Sequence, residues 1–303
     1  MDLEKTKSLL RILNFSIAVA IISLLSSLPY LHEVLTYENG NMQKWVPNLG
    51  IREYLINSSG KYFNYSSYRK FLFNISFNLF AFSGFLGWFV LNTYKVYRKA
   101  ILLPLVSITY QIVIILSSAR TSWFNQPEVK FLGTLIVTLV LVYFYFPRKN
   151  KIIFRKTAFL WCLLFLVSLL PYLHDIVTNR QEELRSFIPF LGIEKSLTHN
   201  GQVLGWSNYR VFLFVFCTHL FAQIGWACWF FDARNRLFRP FLLVPIVFNL
   251  YEITIISINI NAPSFNKPDW KLYTTIIIAT LIAVNLYFNS DKALEWMERN
   301  NHN

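Results

Sequence analysis

Eight stretches of about 17 to 21 mostly apolar residues follow one another along the chain, separated by polar segments. As a helix that rises about 1.5 Å per residue, each is long enough to cross about 30 Å of hydrocarbon. Backbone amides in lipid must pair within their own segment, and an alternating β-barrel pattern is absent, so the pattern predicts an all-α polytopic membrane protein with eight transmembrane helices. The predicted spans are approximately 12–31, 71–91, 101–118, 131–147, 157–174, 211–231, 240–259 and 272–289.

The first apolar run is longer and less interrupted than a removable signal peptide, so we expect it to be retained as a helix. The composition agrees with a membrane protein: 54% of the 303 residues are hydrophobic, 18% are aromatic and 15% are charged, against about 25% charged in soluble domains. The net charge of +13 is spread over short basic clusters between apolar runs. This arrangement indicates the lipid bilayer, and not nucleic acid, as the partner.

The second half of the chain repeats the first. Residues 29–33 read Pro-Tyr-Leu-His-Glu and residues 171–175 read Pro-Tyr-Leu-His-Asp, an offset of 142. After one deletion the offset becomes 141, and the matched pairs include Tyr68 with Tyr209, Gly84 with Gly225, Trp88 with Trp229 and Pro104 with Pro245. The sequence therefore predicts two four-helix transmembrane repeats, 1–147 and 157–303, joined by a basic cytoplasmic linker at 148–156.

The distribution of basic residues predicts the topology. Short, dense basic segments flank alternate spans, whereas two long loops, about 33–70 and 175–210, dilute their charges. By the positive-inside rule, both termini are expected in the cytoplasm and the long loops outside. Because each repeat crosses four times, the repeats are predicted to be parallel, related by a pseudo-two-fold axis along the membrane normal. The basic linker either binds anionic headgroups or simply anchors this topology.

Polar side chains occur at membrane depth, where they are costly to insert. His219 on the sixth helix and Glu252 on the seventh lie at nearly equal predicted depth, and we expect that they can meet. At the matched positions the first repeat has two amides, Asn78 and Gln111. A tyrosine directly precedes both Gln111 and Glu252. The candidate solute- or ion-binding residues are His219, Glu252, Asn78, Gln111, Tyr251 and Tyr110. The pair could relay a proton or coordinate a cation, or could only pin neighbouring helices by hydrogen bonds.

Two further groups of polar residues flank the spans. His32 with Glu33, and His174 with Asp175, end the first and fifth helices. If the repeats bring them to a shared mouth they would suit a transition metal, and otherwise they cap helices or lie among headgroups.

Arg69 and Arg210 each follow a tyrosine at the start of a span. They either anchor the helix at the interface or hold an anionic group such as a lipid phosphate.

No phosphate-binding loop, dinucleotide fingerprint, zinc-protease motif or nucleophile elbow occurs. An enzymatic role is therefore uncertain and disfavoured, and no cofactor is expected. The sequence favours a bundle whose halves bind or move a small solute, ion or lipid. The alternative is a non-catalytic scaffold, sensor or subunit of a larger membrane complex, with lipid or other membrane subunits as partners.

Overall fold

The computed structural model describes residues 3–47, 65–92, 95–117, 123–146, 151–179, 181–186, 188, 198–199, 202–203, 206–234, 236–258 and 267–288. Within these residues the regular structure is helical apart from one antiparallel pair of two-residue strands, β1 (Thr198–His199) and β2 (Gln202–Val203). The all-helical architecture predicted from the apolar runs is thus confirmed.

Eleven α-helices are present in the described residues. They are α1 (Leu3–Ser27), α2 (Leu31–Leu35), α3 (Tyr68–Leu91), α4 (Lys95–Ala100), α5 (Leu102–Leu116), α6 (Pro127–Tyr145), α7 (Lys151–Leu169), α8 (Leu173–Val177), α9 (Tyr209–Asp232), α10 (Leu243–Ile258) and α11 (Pro268–Phe288). Short 3-10 helices at Leu28–Tyr30, Trp123–Asn125, Leu170–Tyr172 and Arg239–Leu242 precede α2, α6, α8 and α10.

Seven helical segments of the described residues are long and apolar enough to cross a membrane. They are Leu13–Leu35, Tyr68–Leu91, Tyr97–Leu116, Pro127–Tyr145, Thr157–Val177, Tyr209–Asp232 and Arg239–Ser257. The eighth predicted span corresponds to α11, a helix of 21 residues that is not among these seven.

Several boundaries differ from those expected from the sequence, and two of these differences have a structural explanation or bear on the linker. Helix α7 begins at Lys151, inside the predicted linker 148–156, while residues 148–150 lie outside the described part of the chain. Helix α1 ends at Ser27, and the chain continues through a 3-10 turn that begins one residue before Pro29. Proline has no N–H to give to an α-helical ladder and is tolerated in the first turn of a helix, so the change of helix type falls there.

The same local structures recur at the offsets seen in the sequence. The 3-10 turn and α2 reappear 142 residues later as the 3-10 turn and α8, and each is followed by an isolated bridge, Thr36 with Met42 and Thr178 with Leu184. Helices α3 and α9 have 24 residues each. Both are capped by a side chain that accepts from the third backbone N–H along: Ser67 accepts from Lys70, and Asn208 from Val211.

Helices α3 and α9 form the centre of the bundle and run in the same direction. Phe77 contacts His219 near their starts, and Trp88 bonds Asp232 near their ends. They cross at two glycines, because a Cβ on Gly84 would lie 3.0 Å from the Trp226 backbone nitrogen. A Cβ on Gly225 would likewise lie 3.1 Å from the Phe85 nitrogen. Only glycine permits so close an approach of two backbones.

Two of the outer helices, α1 and α7, pack against the opposite half of the chain, whereas α5 and α10 pack within their own half. Helix α5 lies on α3, and α10 lies on α9, while α1 packs on α10 and α7 packs on α5. At the α7–α5 contact, Ser107 Oγ donates to the Ser168 carbonyl at 2.6 Å, and the Tyr172 hydroxyl donates to the Ser107 carbonyl at 2.7 Å. At the α1 side, the rings of Tyr30 and Phe248 meet with centroids 4.1 Å apart. The first helix of each half is therefore held by the other half.

Candidate functional site

A cavity of about 1070 Å³ lies at the end of the bundle where α3 and α9 begin. Its volume is at the upper limit of small-molecule sites, which are about 300 to 1,000 Å³. Apolar groups such as Phe77, Phe214 and Ile255 form part of the wall. The charged side chains that line it are Glu33, Lys70, Lys130, Asp175, Glu182, Arg210, Glu252 and Lys271.

Three of these residues form what we call the acidic cluster: Glu33, Glu252 and Lys271. Lys271 Nζ lies 3.2 Å from Glu33 Oε1 and 2.9 Å from Glu252 Oε1. All three side chains are largely buried, with 10%, 12% and 6% of their surface exposed. They come from α2, α10 and α11, so this cluster joins three helices through one ammonium group.

A second group, which we call the basic cluster, contains Lys130, Asp175 and Arg210. Lys130 Nζ lies 2.6 Å from Asp175 Oδ2, and both side chains are almost fully buried. The other carboxylate oxygen, Oδ1, accepts from Arg210 Nη2. Asp175 thus uses both oxygens on two cations, and these bonds join α6, α8 and α9.

Both clusters contain an ion pair that crosses between the halves of the chain. Lys130 precedes residue 147 and pairs with Asp175, whereas Lys271 pairs with Glu33 from the first helical segment. The crossing follows from the packing, because α7 lies against first-half helices, α8 lies on α9 but also contacts α6, and α1 lies against α10. The two pairs occupy matched positions, since Lys271 follows Lys130 by 141 residues and Asp175 follows Glu33 by 142.

The two helix-end histidines lie beside the carboxylates that follow them. His32 Nδ1 bonds the Pro29 carbonyl at 2.8 Å, and because a carbonyl only accepts, the proton is on Nδ1. His32 Nε2 is 3.8 Å from Glu33, and His174 Nε2 is 3.3 Å from Asp175. Within the described residues, no group of three or more His, Cys, Asp or Glu side chains is placed to hold a metal ion. Of the predicted metal ligands, Glu33 belongs to the acidic cluster and Asp175 to the basic cluster, so the structure separates them and pairs each with a lysine.

His219 is buried, with 4% of its surface exposed, and bonds Asn249 rather than Glu252. The Asn249 amide nitrogen donates to the His219 carbonyl at 2.8 Å and to Gln223 Oε1 at 3.0 Å. Its oxygen is therefore the group that accepts from His219 Nδ1 at 2.8 Å. His219 and Glu252 both line the cavity, but each has a different partner from the one that the sequence suggested.

The predicted amide pair lies in the same cavity wall. Asn78 and Gln111 are both buried and both line the cavity, and the Asn78 amide donates to the Asn74 carbonyl at 2.7 Å. Tyr110 turns away from this wall and donates to the Phe124 carbonyl at 2.5 Å. Neither Tyr110 nor Tyr251 is among the described residues that line the cavity.

The two predicted anion-binding arginines have different surroundings. Arg210 belongs to the basic cluster and lines the large cavity. Arg69, at the matched position, instead lines a separate cavity of about 330 Å³ together with His32 and Lys70. No ion pair of Arg69 is found among the described residues. The two matched arginines thus lie at different cavities, and only Arg210 forms an ion pair among the described residues.

Sequence reasoning missed three residues that organise the site: Lys130, Lys271 and Asn249. The lysines had a recognisable pattern, because each is the third residue after a proline, Pro127 or Pro268, that matches across the two halves. A repeated lysine within one turn of a predicted span is a candidate for a buried ion pair. No such pattern marked Asn249, whose matched residue is an isoleucine.

The helices and the site define the class of protein. The seven apolar helices of the described residues fit an integral, multi-pass membrane protein, and charged residues line a cavity among them. Comparison with known proteins narrows the class no further: no family model, curated protein or solved structure significantly resembles this chain.

Proposed function

We propose that the protein consists of two four-helix repeats, residues 1–147 and 157–303, inserted in the same orientation with both termini in the cytoplasm. In this arrangement α11 is the eighth span and residues 148–156 connect the halves. The parallel course of α3 and α9, the recurring turn and bridge after α1 and α7, and the matched capping residues support a duplication. The short basic segments on one side support the orientation.

The function that the geometry supports best is binding of a small polar solute in the cavity between the repeats, and its movement across the bilayer. The observation that carries this proposal is the cavity of about 1070 Å³, lined by charged groups from both halves, within apolar helices. Parallel repeats with a site at their interface are a known basis for alternating access.

The cost of these charges also favours a binding role. A charged side chain at the centre of a span costs about 2.5 to 3.5 kcal/mol to insert on biological scales, and one near the end of a span, such as Lys130 or Lys271, costs less. Hydrogen bonds between neutral side chains hold membrane helices together with about 0.6 kcal/mol each and without that penalty. Ion pairs that face a cavity are therefore better explained by a ligand than by helix packing alone.

A cavity-filling variant tests the proposal. Thr218 is buried in the cavity wall, whereas Leu139 is an exposed apolar residue on α6. The protein is reconstituted in liposomes and incubated with a mixture of polar metabolites, and retained solutes are identified by mass spectrometry. We expect wild type and the control Leu139→Trp to retain the same solute, and Thr218→Trp to lose it.

Retention of no solute by the wild type, or equal retention by Thr218→Trp, would contradict the proposal. Co-purification of a stoichiometric membrane partner, with no solute retained, would favour the scaffold or subunit alternative. The topology is tested separately by reporter fusions at each terminus, since reporters on opposite sides of the membrane would exclude parallel four-helix repeats.

A further inference from the structure

We infer that the solute is a zwitterion whose cationic group binds at the acidic cluster and whose anionic group binds at the basic cluster. This inference rests on the proposed function and specifies its substrate class. The ligand would be a small molecule, or a lipid headgroup, that has one positive and one negative group on an apolar frame.

The first argument is the charge of the two clusters. In their ionised forms, Glu33 and Glu252 share the single ammonium of Lys271, so the acidic cluster has one negative charge in excess. Asp175 is shared by Lys130 and Arg210, so the basic cluster has one positive charge in excess. The remaining charged residues of the wall, one lysine and one glutamate, cancel. The cavity wall is therefore neutral overall but has two opposite poles, of which the acidic one is weakened, without an ion pair among the described residues, by the Arg69 guanidinium of the neighbouring cavity.

The second argument is the hydrogen-bonding capacity left in each cluster. Glu33 Oε2 is a buried atom that accepts no hydrogen bond from the described residues, and its side chain is 10% exposed. A buried acceptor without a donor is costly, and an ammonium group of a ligand would satisfy it once the carboxylate turns toward the cavity that it lines. Arg210 bonds Asp175 through Nη2, its guanidinium has five N–H donors, and 38% of its side chain is exposed. It can therefore also donate to a ligand carboxylate or phosphate.

The two poles also discriminate against other ligands. A ligand charge is attracted by the pole of opposite sign that it contacts. A simple anion therefore gains only at the basic cluster, and a simple cation gains only at the acidic cluster. A ligand with both charges gains at both ends, and the rings of Phe77 and Phe214 can contact its apolar part.

A matched probe series tests the inference in the purified, full-length protein. The zwitterions are glycine, β-alanine, γ-aminobutyrate and ε-aminocaproate, which differ in charge separation. The single-charge controls are the alkylamine and the alkyl carboxylate of each chain length. Short-chain phosphatidylethanolamine, with phosphatidylglycerol as its anionic control, tests whether the source is a lipid headgroup. Binding is followed by thermal stabilisation and by titration calorimetry.

We expect at least one zwitterion to bind about tenfold more tightly than both of its single-charge controls. Glu252→Gln should weaken that zwitterion about tenfold and leave the alkyl carboxylate unchanged, because it neutralises the acidic pole. Arg210→Gln should weaken the zwitterion equally and leave the alkylamine unchanged. The exposed residues Glu128 and Arg236 provide the control variants Glu128→Gln and Arg236→Gln, which should bind as wild type.

If Glu252→Gln does not fold, Glu33→Gln removes the same charge from the same cluster. Preference for a phosphatidylethanolamine over the soluble zwitterions would identify a lipid headgroup as the source. Binding of a single-charge probe as tightly as its zwitterion, or a retained solute with net charge, would overturn the inference that the ligand is a zwitterion. Either result would leave the proposed function intact. Retention of no solute of any charge would overturn both.

Discussion

The acidic and basic clusters are built on the same plan and differ in charge. In each cluster a lysine in the first turn of a helix pairs across the bundle with a carboxylate on a short helix. Lys130 of α6 pairs with Asp175 of α8, and Lys271 of α11 pairs with Glu33 of α2. The ion pairs differ by one added group in each cluster. The acidic cluster has Glu252, where the first half has Gln111. The basic cluster has Arg210, whose counterpart Arg69 acts on Glu33 without an ion pair to it among the described residues. The shared pair holds the two halves together, and the added group sets the local charge.

The largest effect should come from removing each lysine in turn. Lys271→Met leaves Glu33 and Glu252 without their shared cation, which should lower the free energy of unfolding by about 3 to 5 kcal/mol. Lys130→Met should cost at least about 1 kcal/mol less, because Asp175 retains Arg210. Detergent unfolding followed by tryptophan fluorescence measures both values.

The control is Glu252→Gln in the Lys271→Met background, which should restore part of the loss because it removes one stranded carboxylate. An equal or greater cost for Lys130→Met would show that the charge difference between the clusters does not govern their stability.

The crossing of α3 and α9 has equivalent contacts from both halves, whereas the two clusters differ in charge. Gly84→Ala and Gly225→Ala each place a Cβ within about 3 Å of the facing backbone, and each should cost about 1 to 3 kcal/mol. We expect the two losses to agree within about 1 kcal/mol in the same unfolding measurement.

Gly133→Ala is the matched control, since no atom lies within 4 Å of its added Cβ. Helix propensity alone should then raise stability by about 0.5 to 1 kcal/mol. A destabilised Gly133→Ala, or unequal effects at the two crossing glycines, would contradict a symmetric centre.

The buried pair of His219 and Asn249 is a second place where the two halves differ, because the matched residues are Asn78 and Ile108. Asn249→Ile, which installs the residue found at matched position 108, leaves His219 Nδ1 without its acceptor. The expected loss is about 1 kcal/mol, measured by the same unfolding assay.

Adding His219→Asn to this variant reproduces the combination Asn78 and Ile108 of the first half. The double variant should lose less than the sum of the single losses, because no histidine is then stranded. Strict additivity would show that the two side chains do not act as a pair.

The smallest effect on stability should come from Arg210→Gln. Its side chain is partly exposed and Asp175 keeps Lys130, so the free energy of unfolding should fall by less than about 1 kcal/mol. A loss as large as that of Lys130→Met would mean that Arg210 is needed for folding, and that it is not available to a ligand.

The sequence by itself indicated the helical membrane class and most of the spans, and its self-matching segments contain the two lysines that the prediction overlooked. These features are local, because apolar length and repeated motifs can be read along the chain without knowledge of neighbours. It also pointed to His219 and Glu252 as cavity residues. The prediction paired His219 with Glu252 because their helices follow each other in the sequence and were expected to bring these side chains into contact.

Only the tertiary structure decided the partners. The exchange of α1 and α7 between the halves sets Lys271 against Glu33 and Lys130 against Asp175, across 238 and 45 residues of chain. Which helix lies beside which depends on side-chain packing, such as the glycine crossing of α3 and α9, and no one-dimensional pattern encodes it. The charge of each cluster follows from that packing, since a charge acts on whatever group the fold places within a few ångströms.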